Sequence, residues 1–276
     1  MEPTKEYIRE YISRRKGVDL GRYQASTYSR LLLQRIKALG LDSLGGYWAF
    51  LTENPDEADR LIEAASVSVS SFFRDSLVWE IISGTILPEM FERRRREGRK
   101  YFLAWSAGCA KGQEAYSIAI LVHKILADDL GKWRIHILGT DMSPGPWSKA
   151  VSQTFSRPEL EEVKFGIVGD YFVARPEGFE ISPRVRNMVK FSVEDLTSGN
   201  RFAPAESVFG GFDLVLCRNV LIYYSSEAQA IIVDKLIRSL APGGGLILGR
   251  DESLPEETAS RLSVFDSANR IYLKQA

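Results

Sequence analysis

The apolar positions of the first 66 residues recur at helical spacing, with no alternating run typical of a strand. Two stripes repeat every three or four residues, and they consist of Tyr7, Ile8, Tyr11 and Ile12 and of Tyr28, Leu31, Leu32, Ile36 and Leu39. Apolar residues at this spacing share one face of a helix. Residues 1–66 are therefore predicted to form an all-helical N-terminal domain of about four short helices, followed by a linker and connecting helix over residues 67–100.

From residue 101 the pattern changes to short continuous apolar runs that alternate with amphipathic helical segments. In chain order the runs read YFLAW, RIHILGTD, NMVKFSVED, FDLVLCRN and GGLILGR. This alternation predicts parallel strands joined by crossover helices, so residues 101–276 are expected to form a doubly wound α/β sheet.

Two further segments modify the predicted sheet. RLSVFDSANRIYLK reads as two strands around a polar turn, which predicts an antiparallel C-terminal hairpin at one edge. The segment at about residues 170–189 holds short strand-like pieces interrupted by Pro176, Gly178 and Pro183. It is predicted to be a small β-subdomain inserted between the second and third core strands.

Composition places the chain among ordinary globular proteins and narrows the function classes. Of 276 residues 45% are hydrophobic, and Lys plus Arg (36) equals Asp plus Glu (36), so the formal net charge is zero. Zero net charge disfavours a surface built throughout for nucleic acid. The charged N-terminal segment and the absence of a run of about 18 apolar residues disfavour secretion and membrane insertion. With Cys109 and Cys217 expected to be reduced, the predicted location is cytoplasmic.

The segment YFLAWSAGCAKGQEAYSIAI, residues 101–120, joins a predicted strand to a predicted helix through a turn of small residues. Gly108 and Gly112 in this turn let a ligand approach the backbone, and the helix that follows directs its free N–H groups toward that ligand. The spacing matches neither the GxGxxG fingerprint of dinucleotide-binding folds nor a GxxxxGK[ST] phosphate loop. A ligand without a pyrophosphate is therefore favoured.

Two acidic residues indicate which ligand this is. Asp141 ends the second predicted strand in GTDMS, where a carboxylate accepts hydrogen bonds from two ribose hydroxyls in nucleoside-binding α/β folds. Glu114 lies in the first turn of the helix after the loop, within reach of an ammonium or a hydroxyl group. Alone, each residue is more often explained locally, Asp141 as a turn cap and Glu114 as an acid favoured by the helix dipole. Together they indicate S-adenosylmethionine.

Four motifs, SVSVSSFFRDS, WSAGCAKGQEAYSIA, GTDMS and FDLVLCRNVLIYY, occur in the order found in CheR-type chemotaxis receptor methyltransferases. The chain resembles this family over nearly its whole length, including the helical N-terminal segment. The resemblance implies a class I methyltransferase (Rossmann-like) fold, with S-adenosylmethionine as cofactor and S-adenosylhomocysteine as product. It also implies protein-glutamate O-methyltransferase activity, the methyl esterification of glutamate side chains.

The same resemblance implies a set of site residues. The family's cofactor contacts fall on Ser68, Ser70, Arg74, Glu114, Asp141, Asp195, Leu196, Arg218 and Asn219. The counterpart of Arg74 also lies where the substrate carboxylate would sit, and that of Tyr223 lies close by. Arg74 and Tyr223 are therefore the predicted catalytic residues, and no metal ligand is predicted.

Several positions depart from the family pattern. Ser68 stands where an Asn is usual, Gln113 and Ala115 turn GEEPYS into GQEAYS, Asp195 replaces a common Asn, and GRDE at residues 249–252 replaces GHSE. Methyl transfer stays the leading interpretation. The departures motivate a second, a cofactor-binding signalling scaffold with weak catalysis, and a small-molecule methyltransferase on the same fold is the third.

Methyl transfer to a carboxylate needs few catalytic groups. A glutamate with an ordinary pKa of about 4.3 is already ionised at neutral pH, so no general base is required. The enzyme has to position two reactants and exclude water from them. His123 and His136 are accordingly predicted to be structural.

The resemblance implies the cytoplasmic domain of a chemoreceptor as the partner. The chain is predicted to be a monomer that neither binds nucleic acid nor inserts directly into a membrane. Basic residues suited to an acidic helical partner are the run ERRRREGRK at residues 92–100 and Arg14, Arg15, Lys16 and Arg22. Such a run is more often a solvated helix end, and that interpretation stays open at this point.

Overall fold

The structure is a computed structural model that describes residues 4–65, 70–144, 154–198, 202–204 and 211–275. Its helical domain consists of α1 (Lys5–Lys16), α2 (Ala25–Ala38), α3 (Leu44–Glu53) and α4 (Glu57–Ala65), with a 3-10 turn at Leu20–Arg22. The Ser43 hydroxyl accepts a hydrogen bond from the Gly46 N–H and so caps the start of α3. The predicted helical structure of this region is confirmed. Within the described ranges no helix is long and apolar enough to cross a membrane.

A long helical segment leads from the helical domain to the sheet. It runs through α5 (Ser76–Ile81), a π-helical turn (Ile82–Ile86) and α6 (Leu87–Arg96). Its buried residues recur at helical spacing, and they include Trp79, Ile82, Ile86 and Met90. This apolar stripe packs the segment against one face of the sheet.

Ten strands lie in the described residues: β1 (Tyr101–Ala107), β2 (Arg134–Asp141), β3 (Thr154–Phe155), β4 (Phe172–Arg175), β5 (Gly178–Ile181), β6 (Val189–Val193), β7 (Phe212–Cys217), β8 (Leu240–Leu248), β9 (Leu262–Asp266) and β10 (Ile271–Lys274). Seven form the main sheet, in the order β6-β2-β1-β7-β8-β10-β9. The first five pair in parallel, and β10 runs antiparallel to both β8 and β9. The predicted α/β sheet with an antiparallel C-terminal hairpin is confirmed.

Helices cover both faces of the main sheet. They are α7 (Gln113–Leu126), α8 (Phe165–Tyr171), α9 (Pro183–Arg186), α10 (Ser226–Ser239) and α11 (Glu256–Ala259), together with the segments above. One face packs against α7 and the long helical segment. The other face shares a buried cluster with α10 and the helical domain, in which Tyr47 and Leu61 belong to the same core as Trp105 and Val215. The helical domain is thereby held against the sheet by a common core.

The remaining three strands form a small antiparallel sheet in the order β3-β5-β4. Its β4 and β5 hairpin lies within the segment predicted to be a β-subdomain, whereas β3 precedes that segment. Strand β3 was missed because two residues are too few to show an alternating pattern. The domain boundaries given above stay a prediction.

Part of the basic run at residues 92–100 is buried and unavailable to a partner. Arg94 is only 4% exposed, and its Nε and Nη2 lie 2.8 and 2.7 Å from Oδ1 of Asp213. Arg93 Nη2 lies 3.3 Å from the same oxygen. Asp213 is fully buried in β7, and a buried carboxylate needs such cations beside it. Arg95 and Arg99 remain exposed, so only the outer part of the run is a solvated helix end.

Candidate active site

The carboxyl ends of β2, β1 and β7 meet at one edge of the main sheet, because these strands are adjacent and parallel. This edge brings together Gly108 after β1, Asp141 at the end of β2, and Arg218 and Asn219 after β7. Two open clefts with about 480 and 450 Å³ of empty space meet here, and both are lined by Gly108 and Asn219. Ligand sites in parallel sheets lie at this position.

The first cleft, named here the Asp141 cleft, is lined by Asp141, Leu196 and Tyr223 among other residues. Oδ2 of Asp141 accepts a hydrogen bond from the Ala110 N–H, and Oδ1 accepts one from the Met142 N–H, each at 2.9 Å. These two bonds fix the carboxylate at the cleft wall. The buried apolar side chain of Leu196 lies in the same wall. An acidic acceptor beside an apolar surface suits a ribose that carries a base.

The second cleft, the Glu114 cleft, is lined by Ser70, Arg74, Glu114 and Arg218 among others. Oε1 of Glu114 accepts a hydrogen bond from the Ser106 hydroxyl at 2.7 Å, and Oε2 lies 3.7 Å from Nη1 of Arg218. Burial raises the pKa of Glu114, and the positive charge of Arg218 opposes that rise. The half-buried carboxylate of Glu114 thus lies beside the buried guanidinium of Arg218.

Two arginines supply the positive charge of the Glu114 cleft. Nη2 of Arg218 donates to Asp75 at 2.6 Å, while its buried Nε has no hydrogen-bond partner among the residues that the structure describes. Arg74 is half-buried, and its carbonyl accepts a hydrogen bond from Trp79 Nε1 at 2.9 Å. The Arg74 guanidinium makes no hydrogen bond or ion pair with another described residue. The cleft therefore offers donors for an anionic group as well as an acceptor for a cationic one.

The backbone around the two clefts is left-handed at several positions. Gly108 has a φ of 76°, and a Cβ there would lie 2.5 Å from Cγ2 of Val220, so this position requires glycine on both grounds. Six non-glycine residues of the described ranges have a positive φ. Four of them lie in the segments that form the clefts: Phe73 and Asp75 beside Arg74, Ala110 in the loop after β1, and Asn219 after β7. Strain of this kind costs free energy, persists only where neighbouring contacts enforce it, and clusters at functional sites.

The helical domain closes one side of the Asp141 cleft. Tyr23 of this domain stacks on Tyr224 with ring centroids 4.6 Å apart, and the two hydroxyl oxygens are 3.3 Å apart. The Gln24 N–H donates to the Tyr223 carbonyl at 2.9 Å. Sequence reasoning missed Tyr23 as a lining residue because its partner is 201 positions away. Its aromatic ring in a polar stretch is the one local signal that it has.

Gln113, one of the departures from the family pattern, joins three parts of the structure. It is fully buried, and its Nε2 donates to the Ser70 carbonyl at 3.2 Å and to Oε1 of Glu159 at 2.8 Å. Lys111 also donates to that oxygen, at 3.1 Å. Because Glu159 follows β3, the amide connects the start of α7, the linker and the turn after β3. A glutamate at position 113 would face the carboxylate of Glu159.

Replacing Gln113 with glutamate is expected to weaken binding of S-adenosylhomocysteine by roughly tenfold, because a fully buried carboxylate would meet the half-buried carboxylate of Glu159 and displace Ser70. Adding Glu159→Gln should restore most of the affinity by putting the amide on the opposite partner. Calorimetric titration of the wild type, the two single variants and the double variant forms a double-mutant cycle. Unchanged affinity in Gln113→Glu would contradict this account of the position.

Some predicted residues lie away from the cleft walls. Asp195 lines neither cleft, and its Oδ1 accepts hydrogen bonds from the N–H and hydroxyl of Thr197 at 2.8 and 2.7 Å. Lys235, which was not predicted, is 4% exposed and donates to the Asp195 carbonyl at 3.2 Å and to the Glu194 carboxylate. It thereby holds the loop that presents Leu196. Ser68 lies outside the described residues.

The histidines and cysteines take no part in the two clefts, apart from Cys109 in the glycine loop. Nδ1 of His123 is 3.1 Å from the Tyr171 hydroxyl, and burial lowers the pKa of His123. Cys109 and Cys217 are buried free thiols, and burial raises the pKa of both. A buried neutral thiol is a poor nucleophile, so neither cysteine is assigned a catalytic role.

Comparison with known proteins agrees with this geometry. The family described as "CheR methyltransferase, all-alpha domain" matches residues 5–66, and "CheR methyltransferase, SAM binding domain" matches residues 68–270. A chemotaxis protein methyltransferase of Listeria monocytogenes serovar 1/2a is 29% identical over 254 residues, covering 92% of this chain and 91% of that protein. One of Salmonella typhimurium is 30% identical over 248 residues, covering 89% and 82%. The probable biofilm formation methyltransferase WspC of Pseudomonas putida is 31% identical over 245 residues, covering 88% and 55%.

The two family matches together cover far more than half of the chain and follow the change from helical domain to sheet. They confirm S-adenosylmethionine as the cofactor, which Asp141 and Glu114 indicated from the sequence. They also agree with the seven-stranded sheet and its antiparallel end. The chain therefore belongs to the CheR family of S-adenosylmethionine-dependent methyltransferases.

Proposed function

We propose that this chain transfers the methyl group of S-adenosylmethionine to glutamate side chains on the cytoplasmic helices of a chemoreceptor. The observation that carries the proposal is the junction of the Asp141 cleft and the Glu114 cleft at Gly108 and Asn219. A ligand with a nucleoside at one end and an amino acid at the other fits such a pair of clefts. The relatives named as chemotaxis protein methyltransferases support the receptor as the substrate.

The side chains of the two clefts fit each part of S-adenosylmethionine. Asp141 offers an acceptor for the ribose hydroxyls, beside the apolar Leu196 for the base. Glu114 offers a carboxylate for the ammonium group. Arg218, with its unpartnered buried Nε among the described residues, offers donors for the ligand carboxylate. When bound, S-adenosylmethionine supplies an electrophilic methyl group on a sulfonium.

The residues of this chain then have to orient a substrate that is already ionised. Arg74 is assigned to hold the glutamate carboxylate, since its guanidinium lines the Glu114 cleft without an ion-pair partner among the described residues. A fork of two N–H groups fixes the direction of a carboxylate better than a single charge does. Tyr223 lines the other cleft, half-buried, where its ring excludes water and its hydroxyl can donate one hydrogen bond.

Replacing Glu114 with glutamine is expected to weaken binding of S-adenosylhomocysteine by at least about tenfold, because an amide pairs poorly with an ammonium group. The same change should stabilise the ligand-free fold near neutral pH. Burial raises the pKa of Glu114 in the folded state, so its ionisation costs folding free energy that glutamine avoids. The pH-dependent part of this difference should be lost below about pH 3, where Glu114 is protonated in both the folded and the unfolded state.

Calorimetric titration near neutral pH measures the affinity for S-adenosylhomocysteine. Urea unfolding near neutral pH and at low pH measures the effect on stability. Glu92→Gln is a suitable control, because the side chain of Glu92 is 59% exposed and lies on the outer side of α6. It should change neither the affinity nor the stability. Binding by Glu114→Gln that equals the wild type would show that Glu114 does not contact the cofactor.

Docking to the receptor is proposed to use exposed basic residues of the helical domain. Arg14 and Arg15 are exposed at the end of α1, and Arg22 lies next to Tyr23 at the Asp141 cleft. Positive charge beside the site suits an acidic helix that presents glutamates, and it makes association sensitive to salt. The chain is proposed to act in the cytoplasm as a monomer, without a role for nucleic acid.

Methylation of receptor fragments tests the proposed function. The purified chain is incubated with labelled S-adenosylmethionine and with cytoplasmic fragments of the chemoreceptors from the same cells. We expect alkali-labile label in at least one fragment, and its loss when the modified glutamates are replaced by alanine. The fragments should include receptors with outputs other than movement, because one relative carries a biofilm-formation name. Binding of S-adenosylhomocysteine without methyl ester in any fragment would contradict the receptor substrate and favour a cofactor-binding scaffold.

A further inference from the structure

Glu252 accepts an unusual number of backbone hydrogen bonds beside the candidate active site. It lies in the turn after β8, is 3% exposed, and forms no ion pair with another described residue. Oε1 accepts from the N–H groups of Val220 and Leu221, both at 2.7 Å. Oε2 accepts from those of Asn219 and Gly249 at 3.0 and 2.6 Å. One buried carboxylate therefore satisfies four backbone donors.

Three of the four donors are consecutive residues of the loop after β7. Successive backbone N–H groups that converge in this way form a concave site for an anion, and Glu252 supplies that anion from within the chain. The first of the three residues, Asn219, has a φ of 59°, a conformation that is costly without support. At Gly249 a Cβ would lie 2.6 Å from Oε2 and 2.7 Å from the Asn219 nitrogen, so the approach requires glycine.

This loop shapes both clefts, although Glu252 itself lines neither. Asn219 lines both clefts, and Val220 lines the Asp141 cleft and packs against Gly108. The loop continues to Tyr223, which lines the Asp141 cleft. A shift of the three amides would move the residues that the cofactor contacts without removing any of them.

We propose that Glu252 is a positioning residue for methyl transfer, one that holds the loop of Asn219 to Tyr223 in the conformation that binds the cofactor. The inference rests on the proposed function in that the ligand is S-adenosylmethionine. It assigns a role to the last residue of GRDE, the motif that departs from GHSE at its two middle positions and keeps this glutamate.

The proposal requires a carboxylate and excludes an amide of the same shape. In Glu252→Gln one of the two oxygens becomes an NH₂ group. In either orientation of the amide, that group faces two backbone N–H donors that it cannot accept from. Two amides therefore lose their partner, either those of Val220 and Leu221 or those of Asn219 and Gly249. In each case at least one amide of the loop after β7 is left without an acceptor.

We expect Glu252→Gln to raise the Kd for S-adenosylhomocysteine and the KM for S-adenosylmethionine by about tenfold or more. The KM for the receptor fragment should stay within about twofold, because no substrate contact is removed. Asp251→Asn is the matched control, since Asp251 is exposed in the same turn. A purely structural role for Glu252 would lower the fraction of active enzyme, and so the apparent kcat, while leaving both KM values unchanged.

Hydrogen exchange on the wild-type protein tests the proposal even if Glu252→Gln fails to fold. The amides of Asn219, Val220 and Leu221 should exchange slowly in the ligand-free protein. Rapid exchange of all three, or a cofactor KM in Glu252→Gln that equals the wild type, would overturn the proposal. If the wild type binds no S-adenosylhomocysteine, the proposed function is contradicted. Slow exchange of the three amides would then still agree with Glu252 holding this loop.

Discussion

Replacing Arg74 with alanine is expected to lower kcat/KM for receptor methylation by at least about a hundredfold. The substrate carboxylate is already ionised, so the rate depends on holding it in line with the methyl group. The Arg74 guanidinium lines the Glu114 cleft and makes no hydrogen bond or ion pair with another described residue that would have to be broken first. Alanine removes the guanidinium assigned to the substrate carboxylate and leaves the direction of that carboxylate undefined.

Two further variants separate the role of Arg74 from a general loss of charge. Arg74→Lys keeps the charge but loses the planar fork, so it should recover only part of the activity. Arg99→Ala removes an arginine whose side chain is 57% exposed, and it should retain full activity. Steady-state kinetics with a receptor fragment measure all three. Wild-type activity in Arg74→Ala would remove Arg74 from the catalytic account.

Replacing Asp213 with asparagine is expected to lower the free energy of unfolding by roughly 3–5 kcal/mol. Asp213 is fully buried, accepts hydrogen bonds from both Arg94 and Arg93, and accepts one from the Leu103 N–H at 3.0 Å. Asparagine has nearly the same shape but no charge. It would leave the buried guanidinium of Arg94 with only the partly exposed carboxylate of Glu97, 3.1 Å from its Nη1, as a counter-ion. Losing the buried partner of a buried charge costs more than the hydrogen bonds themselves.

Urea unfolding measures this effect against an exposed ion pair. Asp129 pairs with Arg95 and Lys132 at the surface, and Asp129→Asn should leave the free energy of unfolding nearly unchanged. Adding Arg94→Met to Asp213→Asn should recover part of the loss, because the uncompensated charge is then removed as well. A loss in Asp213→Asn no larger than that of Asp129→Asn would contradict the buried ion pair.

The parts of the site that lie at strand ends were predictable because local sequence encodes them. In RIHILGTD an apolar run ends at an acidic residue, so hydropathy alone places Asp141 at the carboxyl end of a strand. The same holds for Gly108 after YFLAW. Arg74 and Tyr223 have no such pattern, and their assignment depends on the family resemblance.

The parts that could not be predicted depend on contacts between distant positions. Tyr23 meets Tyr224 across 201 positions, Arg94 meets Asp213 across 119, and Glu252 meets Asn219 across 33. No local periodicity reports such pairs. The basic run at residues 92–100 shows the consequence. Its composition is that of a solvated helix end, yet Arg94 within it is buried like a core residue. Only the position of Asp213 in β7 distinguishes the two.

A calorimetric titration of the purified wild type with S-adenosylhomocysteine, and separately with NAD, tests the central claim most directly. It examines the joined Asp141 and Glu114 clefts without requiring knowledge of the receptor. Tight binding of S-adenosylhomocysteine with no binding of NAD is the predicted result, since the loop at Gly108 offers no cradle for a pyrophosphate. No binding of S-adenosylhomocysteine, or equal binding of the two ligands, would contradict the assignment of these clefts to the cofactor.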